Sequence, residues 1–256
     1  MLTAVLTGAE SRVLARDVLR TDGPFSCPGC GQEVIAKKGE KKVHHFAHKT
    51  AVECAWGRGE SEEHRQCKQA IFDALTGVSH VENLELEKDF GAVVADVYAE
   101  IRGAKVAIEV QRSNLSDIAI AERTRAYDRL GIFVLWLALN PPSHGERFNP
   151  AAWQKWLHAA YFGRVFYWVE GAQIVQVHFD AYTEQRGGQV YFQKGGIERE
   201  STVFNKFFKQ ARTTNRGPVL DLASSFYPTA QPGLQMGGIT VPRCRLFSSK
   251  TPRWWT

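Results

Sequence analysis

Apolar residues recur at three- and four-residue intervals between Glu60 and Leu75, where Cys67, Ile71, Ala74 and Leu75 make one stripe. That period predicts an amphipathic helix. Traced back, the stripe carries Glu60, His64 and Lys68 beside it, at i, i+4 and i+8. The period then shortens. Leu84, Leu86, Lys88 and Phe90 alternate, and residues 93–101 and 105–111 are two further β-like runs separated by Arg102-Gly103, a natural two-residue turn. Helical spacing returns over residues 115–130 through Leu115, Ile118, Ala119, Glu122, Ala126 and Leu130. IFVLWLAL, residues 132–139, is unbroken and apolar, the mark of a strand buried on both faces; Asn140-Pro141-Pro142 stops it. The predicted order is helix, three antiparallel strands, helix, and a parallel strand across a helical crossover.

The flanks read differently. Two short elements fit residues 1–20, and residues 24–57 are rich in Gly, Lys, Cys and His without a helical period. That composition suggests a small module held by something other than a core. Trp153, Trp156, Leu157, Ala160 and Tyr161 suit a packed helix, and residues 165–169 and 174–179 suit a hairpin. Residues 183–200 are polar and Gly-rich, a short basic helix is expected around 201–212, and residues 213–253 read as an extended arm. The expected division is an N-terminal segment over 1–58, a core over 59–180, and a basic, irregular C-terminal extension over 181–256.

The hairpin register turns pattern into chemistry. A turn at 102 and 103 sets Asp96 opposite Glu109 and Val94 opposite Gln111, so Asp96, Glu109 and Gln111 share a face. Facing carboxylates repel unless a cation compensates them. Mg²⁺ takes one or two carboxylates together with waters and phosphate oxygens, and such an ion activates water for phosphodiester hydrolysis. His64 suits general acid–base work, and Lys68 suits a phosphate; Glu60 and Glu63 are both placed to assist. A plain solvated sheet face accounts for the same residues if the register slips by one.

Cys27-Pro-Gly-Cys30 precedes His45-Phe-Ala-His48, and Cys54 follows six residues later. Tight-turn thiolates and imidazoles at such spacing suit a structural Zn²⁺. Cys27, Cys30 and His48 are expected ligands, with His45 or Cys54 as the fourth. Cys67 reads as core and Cys244 as a lone thiol.

Charge adds a partner. The chain of 256 residues has a net charge of +5. Residues 201–256 hold eight Lys or Arg and one acid, Asp221, a net of +7, leaving the first 200 near −2. A basic region on a near-neutral body suits nucleic acid. No apolar run reaches the length of a membrane span, and no signal peptide is read at the start; a soluble cytoplasmic protein is expected.

The run CPGCGQEVIAKKGEKKVHHFAH, then Cys54, ESEEHRQCK, ADV, IEVQRS and ERTRAY, resembles the competence protein CoiA-like family. The resemblance covers about residues 20–180, including WQKWLHAAYFGRVFYW. It implies a PD-(D/E)xK nuclease-like αβββαβ core joined to a zinc-finger-like module, and a role in DNA uptake and recombination. Asp96 resembles the acid of the PD motif and Glu109 the second acid. Ala95 stands where the motif has proline, and Gln111 where it has lysine. Glu63 or Glu60, with His64 and Lys68, would belong to the family's helix motif. The expected activity is a Mg²⁺- or Mn²⁺-dependent deoxyribonuclease acting in uptake, recombination, repair or defence. Arg112, Ser113 and Arg123 are expected phosphate contacts on single- or double-stranded DNA. The alternative is a non-catalytic DNA-binding adaptor that delivers or protects single strands, with Trp254 and Trp255 stacking on bases. The sequence leaves open whether the chain forms a homo-oligomer and names no protein partner.

Overall fold

The structure, a computed structural model, describes residues 1–54, 56, 60–112 and 115–225, and the backbone of four short strands between 228 and 247. Cys244, Trp254, Trp255 and Ser113 lie outside the described residues.

The N-terminal strands β1 (Thr3–Leu6), β2 (Ser11–Leu14), β3 (Phe25–Ser26), β4 (Glu33–Lys37) and β5 (His45–His48) form an antiparallel sheet in the order β2-β1-β3-β4-β5. The module has a small core of its own, in which Phe25 and Phe46 meet at 5.1 Å among Ala4, Val34 and Ala36. The expectation of a module without a core is corrected to that extent: apolar residues on alternate strand positions suffice to build one.

Next come α1 (Glu62–Leu75), β6 (Val81–Asp89), β7 (Val94–Ile101), β8 (Ala104–Gln111), α2 (Asp117–Arg129) and β9 (Phe133–Ala138), in the predicted order. Ser61 caps α1 by accepting from the His64 N–H at 3.2 Å, and Ser116 caps α2 by accepting from Ala119 N–H at 3.1 Å. The buried stripe of α1 is Cys67, Lys68, Ile71 and Leu75. The β7–β8 turn is Arg102-Gly103, both at positive φ, as a primed two-residue turn requires. Its register is the predicted one, with Val97 opposite Ile108 and Ile101 opposite Ala104. β9 is buried almost throughout and pairs parallel with β8.

The chain continues through β10 (Arg147–Phe148), α3 (Ala152–Ala160), β11 (Val165–Glu170), β12 (Gln173–Arg186), β13 (Val190–Gln193), β14 (Ile197–Glu200) and β15 (Phe204–Asp221). The eight-stranded sheet runs β10-β15-β12-β11-β9-β8-β7-β6, with β11 parallel to β9. Two expectations are overturned here. The basic helix around 201–212 is part of strand β15, and the segment after 180 is not irregular through Asp221. Phe204, Phe207 and Phe208 interleaved with Lys and Thr favour an extended chain, and pairing with β12 along most of its length overrides a weak helical spacing.

Candidate functional site

The site begins where two strands part. β7 and β8 pair as far as Val97 and Ile108. Beyond that point β7 stays on β6 through Val94, while β8 stays on β9 through Gln111. The side chain of Asp96 enters the gap, and its Oδ2 accepts the Val110 N–H at 2.9 Å. A carboxylate thus replaces the next rung of the ladder.

Helix α1 supplies the company of Asp96. His64 Nε2 lies 3.0 Å from Asp96 Oδ2. Lys68 Nζ lies 2.8 Å from Glu87 Oε1 and 3.6 Å from Asp96 Oδ1, and it also pairs with Glu60. Burial would raise the Asp96 carboxyl, but His64, Lys68 and the Val110 N–H hold it well below the usual carboxylate range. Glu87 behaves alike: burial opposes ionisation, and Lys68 outweighs it. Lys68 itself is 3% exposed, and its three carboxylate neighbours overcome burial and hold it firmly protonated. Lys68 is thus enclosed by Glu60, Glu87 and Asp96.

Helix α2 supplies the company of Glu109, which is 1% exposed. Arg123 Nη2 donates to Glu109 Oε2 at 2.7 Å and to the Val94 carbonyl at 3.3 Å. The Tyr127 hydroxyl donates to Oε1. Burial pushes the Glu109 carboxyl up to about 7 despite Arg123, with Asp96 nearby adding to the rise. Gln111 is buried at the end of β8, where its carbonyl accepts the Leu139 N–H at 3.2 Å. Arg112 pairs with Glu63 at 2.9 Å on the surface.

The repulsion expected between Asp96 and Glu109 is thus met by side chains: His64 and Lys68 on one acid, Arg123 on the other. Asp96 and Glu109 are the carboxylates here that could hold a hard divalent cation: Asp96 Oδ1 lies 3.6 Å from Lys68 Nζ, and the Arg123 side chain on Glu109 is 37% exposed.

Glu60, just ahead of α1, is buried on Lys68, whereas Glu63 on α1 faces solvent with Arg112. Glu87 and Tyr127 escaped the sequence reading. Glu87 has φ +52°, which breaks the regular alternation of its strand. Tyr127 follows Arg123 by four residues, and that one-face spacing was the available signal.

In the N-terminal module, Cys27, Cys30, His48 and Cys54 offer ligand atoms all within 4.8 Å of one another. Cys27 Sγ and Cys54 Sγ are 3.8 Å apart, and Cys30 Sγ is 3.3 Å from His48 Nε2. Zn–S bonds of about 2.3 Å in a tetrahedron set sulfur atoms roughly 3.8 Å apart, so the set suits Zn²⁺. His45 is not among them. His45 and His48 lie three apart on a strand, hence on opposite faces, and His45 Nδ1 sits 2.9 Å from the Val43 carbonyl instead. Gly29 shapes the knuckle: a Cβ there would fall 2.9 Å from Trp56 Cε3.

The family model for the competence protein CoiA N-terminal domain matches residues 9–57, and that for the competence protein CoiA nuclease-like domain matches residues 60–211. The competence protein CoiA of Bacillus subtilis (strain 168) is 31% identical over 114 residues. That match covers 44% of this chain and 31% of the relative, so the chain spans under a third of the curated protein it matches. No solved structure matches. With both models laid in order along the chain and the nuclease-like one spanning more than half of it, this protein belongs to the competence protein CoiA family.

Proposed function

We propose that this chain is a Mg²⁺- or Mn²⁺-dependent deoxyribonuclease on a PD-(D/E)xK-type core, serving DNA uptake or recombination. The observation that carries the reading is the parting of β7 and β8 at Asp96 and Glu109, beside His64. Asp96 and Glu109 would hold the metal, which polarises a phosphodiester and activates water when bound. His64, fixed on Asp96, is placed to take or return a proton. The Gln111 amide orients water or phosphate without supplying charge. Arg123, released from Glu109, and Arg112 at the rim attract the DNA backbone. Lys68 helps keep Asp96 ionised, and Glu60 pairs with that lysine. A structural Zn²⁺ on Cys27, Cys30, His48 and Cys54 would stiffen the N-terminal module.

A second reading, a non-catalytic DNA-binding adaptor, is favoured by one observation: both oxygens of Glu109 already accept bonds from the protein. A gel assay on single- and double-stranded DNA with Mg²⁺ or Mn²⁺, beside Glu109→Ala, separates the two. Cleavage lost in the folded variant supports the nuclease. Equal shifts without cleavage by either protein leave the adaptor.

A further inference from the structure

Strands β12 and β15 outrun the sheet that holds them. β11 flanks β12 only as far as Val177, and β10 flanks β15 only at Arg212 and Thr213. From Thr183↔Phe207 to Arg186↔Phe204 the pair continues alone, with the small hairpin β13–β14 at its tip. No third strand joins this ribbon among the described residues. A lone two-stranded ribbon is marginal in water, yet this one displays large apolar side chains: Phe207 is 71% exposed, Phe192 70% and Phe204 55%.

Its charge is equally one-sided. Residues 181–212 hold six Lys or Arg against three acids. On one face Tyr182 and Phe208 meet at 5.5 Å. Three cations gather over the Phe208 ring, with Arg147 Cζ at 4.8 Å, Lys206 Nζ at 5.2 Å and Arg186 Cζ at 5.9 Å from its centroid. Glu184 is the acid that pairs with two of them, at 3.3 Å to Arg147 and 2.9 Å to Arg186. The patch therefore keeps excess positive charge beside open aromatic faces.

We infer that the β12–β15 ribbon is a binding arm for single-stranded DNA, with Arg147, Arg186 and Lys206 on the phosphates and Phe204, on the same face of the ribbon as Arg186 and Lys206, stacking on a base. Stacking platforms combined with cations suit unpaired strands, whose bases expose their faces. Duplex DNA hides those faces and would use only the charge. The inference rests on DNA as the partner in the function proposed above, and is independent of cleavage.

The test is fluorescence anisotropy with a labelled 20-nucleotide poly(dT), using the full chain in EDTA so that no cutting interferes. Phe204→Ser should weaken binding at least fivefold. Arg186→Ala/Lys206→Ala should weaken it and flatten the log–log salt slope by about 1.4. Wild-type affinity in both ribbon variants overturns the inference while leaving the nuclease reading intact. Equal loss on duplex and poly(dT) in the phenylalanine variant overturns the single-strand assignment. No binding of poly(dT) by the wild type overturns the inference, and the cleavage assay above still decides the nuclease reading. Photo-crosslinking to 5-iodouracil in the wild-type protein gives a readout that needs no variant: adducts at Tyr191 or Phe204 support the arm, and adducts confined elsewhere overturn it.

Discussion

Replacing Lys68 by Met removes the one ammonium shared by Glu60, Glu87 and Asp96 and keeps most of the apolar stem. Lys68 is 3% exposed, with Glu60 and Glu87 each at 5% by side chain, so water cannot replace it. Breaking a buried ion pair from one side costs roughly 3–5 kcal/mol, and here three acids lose a shared cation, with Asp96 keeping His64 and Glu60 keeping the N-terminal ammonium at 2.9 Å. The loss should appear in urea melts at pH 7, with a fall in Tm of roughly 10 °C. The pH profile is the sharper readout. In the wild type, Glu87 and Asp96 titrate below the ordinary carboxylate value. Their contribution is complete above the unfolded value near pH 4 and is lost as pH falls through the lower folded values. Without Lys68, the Glu87 carboxyl loses its strongest lowering influence and rises. The variant should then gain less stability than the wild type as pH rises through the acid range toward about 5. Lys68→Met/Glu87→Gln should be more stable than Lys68→Met alone. A loss under 1 kcal/mol at pH 7, or parallel pH profiles, would refute the claim that this lysine holds the acids together.

Glu109 carries the opposite sign. Its folded value near 7 lies above the unfolded one, so its contribution is present at low pH and declines, by on the order of 3 kcal/mol, as pH rises toward 7; Glu109→Gln should flatten that decline in denaturant melts. Native mass spectrometry should find one zinc per chain, lost in Cys54→Ser and kept in His45→Ala, because His45 faces away from the ligand cluster. Gly29→Ala places a Cβ against the Trp56 ring and should weaken zinc retention about tenfold in a chelator competition, with α1 and the main sheet unaffected by circular dichroism.

The core was legible because its periods are clean. The stripe of α1, the Arg102-Gly103 turn and the unbroken apolar run of β9 each have one reading, and the turn alone fixes the β7–β8 register. Cys54 against His45 was undecidable from spacing; it required knowing that His45–His48 is a strand. Glu87 was hidden because a left-handed residue inside a strand leaves no trace in a polar–apolar pattern. β15 was misread because its partner β12 is encoded elsewhere in the chain, and pairing between distant segments is invisible to a local window.

Glu87 also orders events in time. Its carboxylate accepts the Leu2 and Thr3 N–H groups at 2.8 and 3.0 Å, across more than eighty residues of chain. On a ribosome emitting the N-terminus first, the cluster of Cys27, Cys30, His48 and Cys54 emerges well before Glu87. The module can load its ion and close its small core while two amide groups of its first strand still await their acceptor. Attachment to the larger sheet then comes as a later step, completed in the same act that seats Lys68 among its acids. A nascent chain stalled between residues 60 and 87 should accordingly hold zinc yet leave that strand open to proteolysis.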